Sequence, residues 1–286
     1  MKKIKTEYLI LLTILVFSAF FRLFRLNQLL GFWYDQGRDA LVIWDLIHTG
    51  KFFLIGPVTG IEGIFLGPFF YYLLTPFYWL GKGDPVFSAA FLALLNVGAG
   101  FLLYYLGKRI FNSTIGLIAA FLWGFSYNQV TFSRWLANPT PLPFFALLSV
   151  LCLYKFIETN NSLFLIFTSF LIGLCLQLEA AAAVFFIPSI IVILIWQKKL
   201  LSARYLVLSI IVFILTLMPQ IYFNFRHEGV LLSAFNKFLF EEKSFKLSVE
   251  TILKSRLLTY YDVFAGRLFP SLNNAGILVL ASFSAG

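Results

Sequence analysis

The recurrence of long apolar runs constrains this chain more than any other feature of its sequence. Runs of roughly 15 to 20 mostly apolar residues follow one another along the chain, and about 20 such residues cross the hydrocarbon core of a bilayer as a helix. Hydrophobic residues occupy 60% of the 286 positions and charged residues only 12%, which is about half the charged share of a soluble domain. The sequence therefore predicts an all-α polytopic membrane protein, integral to the cell (plasma) membrane.

Seven spans are predicted from these runs, in a single transmembrane domain that covers 1–286. An eighth run begins near Ala275 and is still apolar at Gly286. Because this run is shorter than the roughly 20 residues of a spanning helix, we expect the chain to be the N-terminal portion of a longer protein. The seven predicted spans cover about 7–24, 86–107, 113–131, 142–157, 163–179, 181–197 and 204–223.

Segment 64–82, IFLGPFFYYLLTPFYWLGK, is compatible with two placements. It is long enough to span, but Pro68 and Pro76 interrupt it and its tyrosines and tryptophan are typical of the membrane interface. An interfacial placement with a cytoplasmic amino terminus leaves the short basic loops in the cytoplasm, whereas a spanning placement inverts them and brings the basic loop 225–272 inside. Long loops count weakly in that rule, so we predict the interfacial placement. The short-loop residues are Lys108, Arg109, Lys155, Lys198, Lys199 and Arg204.

On this topology the outer face carries the extracytoplasmic loop 26–85, the loop 132–141 and the extracytoplasmic loop 225–272. Within the first of them, FWYDQGRDALVIWDLIHTG (32–50) groups polar side chains just after the first span. Its apolar residues recur at i, i+3 and i+4, which predicts an amphipathic helix on the membrane surface, from about Asp35 to Gly50. The predicted apolar stripe is Ala40, Ile43, Trp44 and Ile47, with Arg38, Asp45 and His48 mainly away from it.

Asp35 has two readings at the start of this predicted helix. Aspartate is a favoured N-cap, because its carboxylate accepts hydrogen bonds from the free amides of the first turn. A carboxylate at the outer mouth of a membrane bundle can also act as a general base, and capping does not exclude that role. Asp39 lies one turn further along and, with Arg38, can equally be a solvated surface residue.

Several function classes lack their motifs in this chain. It contains no Walker loop, no G-x-S-x-G elbow and no glycine-rich dinucleotide loop. The two histidines, His48 and His227, do not cluster with acidic residues, so no metal site is predicted. Cys152 and Cys175 lie inside apolar runs, which favours packed or lipid-facing thiols. The net charge of +9 is attributed to cytoplasmic helix ends, and no nucleic-acid partner is expected.

Four segments carry a family resemblance. The run YDQGRDAL (34–41), followed by GPVTGIEGIFLGPFFYYLLTPF (56–77), is similar to the first outer loop of C-superfamily (GT-C) membrane glycosyltransferases. SRWLANPTPLPFF (133–145) resembles their second outer loop, GLCLQLEAAAAVFFIP (173–188) a middle helix and PQIYFNFRHEGV (219–230) the entry to a later loop. The branch most similar is family 39-like, which includes protein O-mannosyltransferases and the aminoarabinose transferases of lipid A.

The resemblance implies a GT-C-like helical bundle with interfacial helices in the first extracytoplasmic loop. It also implies transfer of a sugar from a polyprenyl-phosphate carrier to a hydroxyl of a lipid, glycan or protein, with inversion, in an extracytoplasmic active site among membrane lipids. Asp35 is assigned as general base, with Asp39 as its competitor. The implied phosphate-binding arginines are Arg38, Arg134 and Arg226. The other implied substrate-binding residues are Glu62, Tyr71, Tyr72, Asn138 and His227.

Two departures from the family pattern are expected to matter. Relatives frequently place histidine or lysine where this chain has Glu179, and an aspartate where it has Asn224. No cofactor is predicted, and the sequence leaves a divalent cation open. The rival functions are a secondary transporter or flippase, and a non-catalytic scaffold of a glycan-assembly complex. Because a transporter should carry charges near the middle of its spans, whereas this chain has most of its charges at helix ends and in loops, we favour the transferase.

Overall fold

A computed structural model describes residues 6–197, 202–241 and 248–268. Those residues form helices joined by short connections and contain no strand, so the predicted all-α class is confirmed. An isolated antiparallel bridge pairs Val58 with Phe65. The predicted eighth run, from Ala275, lies outside the described residues.

The helices follow the predicted apolar runs closely. In chain order they are α1 (Thr6–Leu23), α2 (Leu26–Leu29), α3 (Tyr34–Thr49), α4 (Phe69–Leu80), α5 (Pro85–Ile110), α6 (Ser113–Phe125), α7 (Tyr127–Ser133), α8 (Leu142–Thr159), α9 (Leu163–Leu178), α10 (Ala180–Ala183), α11 (Phe186–Trp196), α12 (Ala203–Arg226), α13 (Val230–Asn236), a π-helical turn (Lys237–Glu241) and α14 (Val249–Leu268).

Four helices, α1, α5, α8 and α12, are long and apolar enough to cross a membrane. Shorter apolar helices occupy Ser113–Phe125, Leu163–Leu178 and Ala180–Trp196, the positions of the other predicted spans. On α1, large apolar side chains such as Leu12, Val16 and Phe20 are exposed. In a bilayer these side chains contact lipid tails in place of water, so their exposure on the helix surface is not unfavourable.

The ambiguous segment 64–82 forms only one short helix. Its first residues belong to a loop, and α4 begins after Pro68 and contains Pro76. Its 12 residues give a length of about 18 Å, well short of a bilayer core. A helix of this length does not cross the membrane by itself, and its interfacial placement stays a prediction.

The chain divides into two compact units, with the boundary in the sequence between Ala234 and Phe235. The first contains the helices up to α12, with α5 packed between α1, α6 and α8. The second contains the π-helical turn and α14, so helix occupies much of the predicted loop 225–272. Both cysteines are free, and Cys175 is buried while Cys152 is half-buried.

Helices α3 and α4 are held against the spanning helices by one apolar cluster. Ile43 of α3 packs with Phe70 and Leu74 of α4, Leu92 of α5 and Leu178 of α9, and all five side chains are almost completely buried. Burial of such side chains stabilises the docking by about 1.5 to 3 kcal/mol each. The cluster therefore fixes the position of the polar residues that precede Ile43 on α3.

Two arginines contact the C-terminal ends of α1 and α6. Arg22, which is completely buried, donates to the carbonyls of Trp123 and Gly124 at 3.0 and 2.9 Å and to Ser18 Oγ at 2.6 Å. Arg134 donates to the carbonyls of Phe21, Arg22 and Phe24 at the end of α1. The last carbonyls of a helix have no partner within it and carry partial negative charge, so each guanidinium satisfies one helix end.

We expect Arg22→Gln to lower the free energy of unfolding by about 2 to 3 kcal/mol, because charge-assisted bonds to buried carbonyls are lost. Arg25→Gln is the matched control, since Arg25 is exposed and its side chain donates a hydrogen bond to the exposed Gln28. Its cost should stay within about 0.5 kcal/mol. The measurement is the thermal unfolding midpoint in detergent. Equal midpoints for the two variants would contradict the role assigned to Arg22.

Candidate functional site

A cavity of about 220 Å³ opens at the start of α3. Its walls come from the first two turns of α3, the loop before α4, the loop between α7 and α8, and the break between α9 and α10. The lining therefore draws on segments that are far apart in sequence. The residues that line it are Asp35, Gln36, Arg38, Asp39, Val58, Thr59, Gly60, Leu66, Trp135, Ala137, Asn138, Pro139 and Glu179.

Helix α3 begins one residue earlier than predicted and is capped differently. Its N-cap is Trp33, whose amide donates to Gln36 Oε1 at 3.1 Å, so Asp35 lies inside the first turn. The reading of Asp35 as the N-cap is therefore wrong. Gly50, at φ 67°, ends the helix in the left-handed conformation that glycine adopts without strain.

The buried stripe of α3 also differs from the predicted one. Gln36, Asp39, Ile43 and Leu46 are buried, whereas Trp44 is 41% exposed. Ala40 and Ile47 of the predicted stripe pack against the same cluster as Ile43, and the apolar pattern missed Gln36 and Asp39 because it counted only apolar side chains. Asp39 faces inward because the polar partners it needs are provided there.

Arg38 lies between the two aspartates and contacts both. Its Nε and Nη2 donate to Asp39 Oδ1 at 2.9 and 2.8 Å, and its Nη1 donates to Asp35 Oδ1 at 3.0 Å. The Asp39 side chain is 9% exposed and that of Asp35 is 68% exposed. The two candidate aspartates thus differ in burial, with one buried and one open carboxylate.

The Asp39 carboxylate has a further donor in Tyr71 of α4, whose hydroxyl lies 3.0 Å from Oδ1. Burial raises the pKa of Asp39, while the bonds from Arg38 and Tyr71 oppose that rise. Burial and the adjacent Asp39 charge likewise raise the pKa of Tyr71, so its hydroxyl stays protonated and donates. The three donors on one oxygen explain how a carboxylate is tolerated in this buried position.

The loop before α4 forms the opposite wall as a tight hairpin. The amide of Gly56 donates to the carbonyl of Leu66 at 2.8 Å, and that of Leu66 to the carbonyl of Pro57 at 3.0 Å. A Cβ on Gly56 would lie 1.9 Å from the Gly67 carbonyl oxygen, so the two sides of the hairpin approach more closely than a residue with a side chain would allow. Thr59 and Gly60 at the far end of the hairpin reach the cavity.

Gln177 of α9 anchors this hairpin to the bundle. Its Oε1 accepts from the amide of Phe69, its Nε2 donates to the carbonyl of Thr216 on α12, and its side chain packs directly against Gly67. One buried amide therefore connects the start of α4 to two membrane helices.

Asn138 and Glu179 complete the cavity on the side of the spanning helices. Asn138 Nδ2 donates to the carbonyl of Leu178 at 2.6 Å, at the end of α9. Glu179 follows with extended backbone angles, which interrupt the helix before α10. Its carboxylate forms no hydrogen bond or ion pair among the described residues. It thus offers a free acceptor to whatever the cavity binds.

The structure separates the predicted site residues into two groups. Asp35, Arg38, Asp39 and Asn138 line the cavity, and Tyr71 contacts Asp39 from behind it. The remaining five residues do not line it, namely Glu62, Tyr72, Arg134, Arg226 and His227.

The residues of the second group lie elsewhere in the structure. Glu62 is exposed at the tip of the hairpin, and Tyr72 donates to the Phe53 carbonyl at 2.7 Å. Arg134 donates to carbonyls at the end of α1 and does not line the cavity, whereas its neighbour Trp135 does.

Arg226 and His227 lie at the end of α12, where the His227 ring stacks on Phe223 with Nδ1 2.9 Å from its carbonyl oxygen. Helix-end contacts therefore account for His227.

Sequence reasoning left Trp135, Thr59 and Glu179 without a firm role in the site. The signal for Glu179 was visible as a lone carboxylate within an apolar segment, which suggests a function. Its proximity to Asp35 was not visible, because the two residues are far apart in sequence. Among the described residues no group of three or more His, Cys, Asp or Glu side chains is arranged to hold a metal ion.

The sequence profile of the dolichyl-phosphate-mannose-protein mannosyltransferases matches residues 66–223. The match covers α4 to α11 and most of α12, and it includes Tyr71, Asn138 and Glu179, whereas Asp35 and Arg38 precede it. No curated protein and no solved structure matches the chain. Family members are glycosyltransferases that use polyprenyl-phosphate-linked sugars. Because the match spans more than half of the 286 residues, the chain belongs to the dolichyl-phosphate-mannose-protein mannosyltransferase family, in the GT-C superfamily of membrane glycosyltransferases.

Proposed function

We propose that this protein transfers a sugar from a polyprenyl-phosphate donor to an acceptor hydroxyl in the cavity at the start of α3. The observation that carries the proposal is the juxtaposition of an open carboxylate, Asp35, with the guanidinium of Arg38 in one cavity wall. Such a transfer needs a base for the incoming hydroxyl and a cation for the departing phosphate.

Asp35 is the general base in this proposal. Its carboxylate is mostly exposed and Arg38 binds only one of its oxygens, so an acceptor hydroxyl can reach it. Asp39 is unsuited to the role, because Oδ1 already accepts three hydrogen bonds and the side chain is buried.

In the reaction, the acceptor oxygen attacks the anomeric carbon and its proton passes to Asp35. The bond between that carbon and the phosphate oxygen breaks, and the bonding electrons leave with the phosphate. A direct displacement of this kind inverts the configuration of the anomeric carbon.

Arg38 is the phosphate-binding cation. It is the only basic side chain that lines the cavity within the described part of the chain. Arginine presents several N–H groups in a planar fork that suits phosphate oxygens. Arg38 is also anchored to Asp39 through Nε and Nη2, which limits the entropy lost when Nη1 binds the phosphate.

The remaining polar groups of the cavity suit a sugar. Asn138, Glu179 and Thr59 offer amide, carboxylate and hydroxyl groups to the ring hydroxyls, and Trp135 offers an aromatic face, 44% exposed, to the apolar face of the ring. A carboxylate is a strong acceptor for sugar hydroxyls. Glu179 therefore suits the donor sugar better than its phosphate, which it would repel.

The cavity is assigned to the extracytoplasmic face, with a cytoplasmic amino terminus. The support is the distribution of basic residues, since Lys108, Arg109 and Lys155 lie at the opposite ends of α5 and α8 from the cavity. The carrier lipid would lie in the membrane with its phosphate at the level of Arg38.

We expect Asp35→Asn to lower kcat by about 10² to 10⁴-fold, because asparagine keeps the shape of aspartate but takes no proton at neutral pH. Asp45→Asn is the matched control, since Asp45 is an exposed residue of the same helix and does not line the cavity. The measurement is release of radiolabelled sugar from a panel of polyprenyl-phosphate donors by the protein in nanodiscs.

Equal turnover by wild type and Asp35→Asn would transfer the role of base to another carboxylate. Donor flipping across the bilayer without sugar release would favour the flippase alternative. Donor neither consumed nor moved would favour a scaffold.

We expect Arg38→Lys to raise the KM for the donor by about 10 to 100-fold, since lysine cannot contact Asp39 and phosphate with one planar group. Arg25→Lys, an exposed change between α1 and α2, should leave this KM unchanged. Steady-state kinetics with varied donor concentration measures both. A rise confined to Arg226→Lys would instead place the phosphate at the end of α12.

A further inference from the structure

We propose that Tyr71 and Asp39 are positioning residues that hold Arg38 so that its Nη1 exchanges from Asp35 to the donor phosphate, which frees Asp35 to act as base. The inference rests on the proposed function, because it concerns the order of events at the same site. It assigns a role to Tyr71 and Asp39, which contact neither the acceptor hydroxyl nor the donor phosphate in the reaction described above.

The fixed half of the arrangement is the contact between Arg38 and Asp39. Three N–H and O–H groups, from Nε, Nη2 and the Tyr71 hydroxyl, converge on the single oxygen Oδ1 of Asp39 at 2.8 to 3.0 Å. Asp39 and Tyr71 are both buried, and Tyr71 belongs to α4, which the apolar cluster around Ile43 holds in place. If Nε and Nη2 of Arg38 moved away, the buried carboxylate of Asp39 would lose its cationic partner, which is costly.

The exchangeable half is the contact between Arg38 and Asp35. It consists of one hydrogen bond of 3.0 Å between Nη1 and Oδ1, at an exposed carboxylate. Exposed ion pairs contribute about 1 kcal/mol or less, so the phosphodiester of the donor, which like a carboxylate has one charge and two free oxygens, can displace Asp35 at little cost.

The consequence is a coupling between donor binding and base activation. Without donor, Nη1 of Arg38 occupies Oδ1 of Asp35, so that oxygen is not free to take the proton of an acceptor hydroxyl. With donor bound, Nη1 faces phosphate and Asp35 loses that partner. Deprotonation of the acceptor is then favoured only when a leaving group is in place.

The charged and titratable groups that face Asp39 come from three sides. Arg38 and Asp35 lie on its own helix, and Tyr71 and Tyr78 face it from α4. Glu179 shares the cavity from the end of α9. Of these, only Arg38 and Tyr71 stabilise the carboxylate, whereas the charge of Asp35 raises the pKa of Asp39.

The sign of the pH dependence follows. Burial already raises the pKa of Asp39, and loss of the Tyr71 hydrogen bond raises it further. Protonated Asp39 no longer holds Arg38, so activity is lost as the pH falls through this pKa. In Tyr71→Phe the acidic limb of kcat/KM should therefore move to higher pH.

The adjacent tyrosine supplies a matched control for the first experiment. Tyr71→Phe and Tyr72→Phe each remove a hydroxyl that forms hydrogen bonds, but that of Tyr72 contacts the backbone of Phe53 outside the cavity. We expect Tyr71→Phe to weaken binding of undecaprenyl phosphate in nanodiscs by about tenfold, the equivalent of one charge-assisted hydrogen bond. Tyr72→Phe should leave that affinity and the acidic limb unchanged, even if both variants lower the unfolding midpoint.

Equal affinities, or equal acidic limbs, for the two phenylalanine variants would overturn the positioning role. Because affinity for undecaprenyl phosphate is measured without turnover, this result is independent of whether the protein transfers a sugar. Absence of transfer with every donor would defeat the proposed function while the affinity comparison still decided the positioning role.

A second experiment tests the exchange itself and does not require Tyr71→Phe to fold. If Asp35 competes with phosphate for Nη1, Asp35→Asn should bind undecaprenyl phosphate up to about fivefold more tightly than wild type, the equivalent of one exposed ion pair, although it does not turn over. Glu179→Gln removes one negative charge from the same cavity without removing a competitor for Arg38. It should tighten binding less than Asp35→Asn, and an equal or larger gain for Glu179→Gln would refute the exchange.

Discussion

The buried carboxylate of Asp39 is the interaction on which the arrangement of the cavity depends. A charge in this position is unfavourable unless donors surround it, and Arg38 and Tyr71 supply those donors. Meeting this requirement fixes the guanidinium of Arg38, orients the start of α3 and ties α3 to α4. The same contact leaves Asp35 open to the cavity, so one electrostatic constraint distinguishes two aspartates that are otherwise chemically alike.

Close backbone approach complements this electrostatic constraint. Gly56 and Gly67 bring the two sides of the hairpin together, and Gln177 fastens it to α9 and α12. The spanning helices thus act as a rigid support for a polar site built from loops and helix ends. The break at Glu179 contributes a carboxylate to that site without placing a charge in the middle of a continuous apolar helix.

Local sequence pattern identifies some residues of the candidate site but not the contacts that each of them makes. Asp35 and Arg38 were predicted for the site because YDQGRDAL (34–41) resembles the first outer loop of GT-C glycosyltransferases. Arg134 carried the same signal, yet it stabilises the end of α1, because a guanidinium satisfies helix carbonyls as readily as phosphate. The inward orientation of Asp39 was not predictable from spacing, since its partner Tyr71 lies on another helix.

The sequence by itself determined the helical class, the positions of the long apolar helices and the first turns of α3 as a candidate site. Each of these depends on local properties, namely the length of apolar runs and the 3.6-residue period. Only the tertiary structure decided which aspartate is buried, which arginine reaches the cavity and that Glu179 faces it. Those outcomes depend on contacts between segments far apart in the chain, where packing and charge compensation select among side chains that local pattern leaves equivalent.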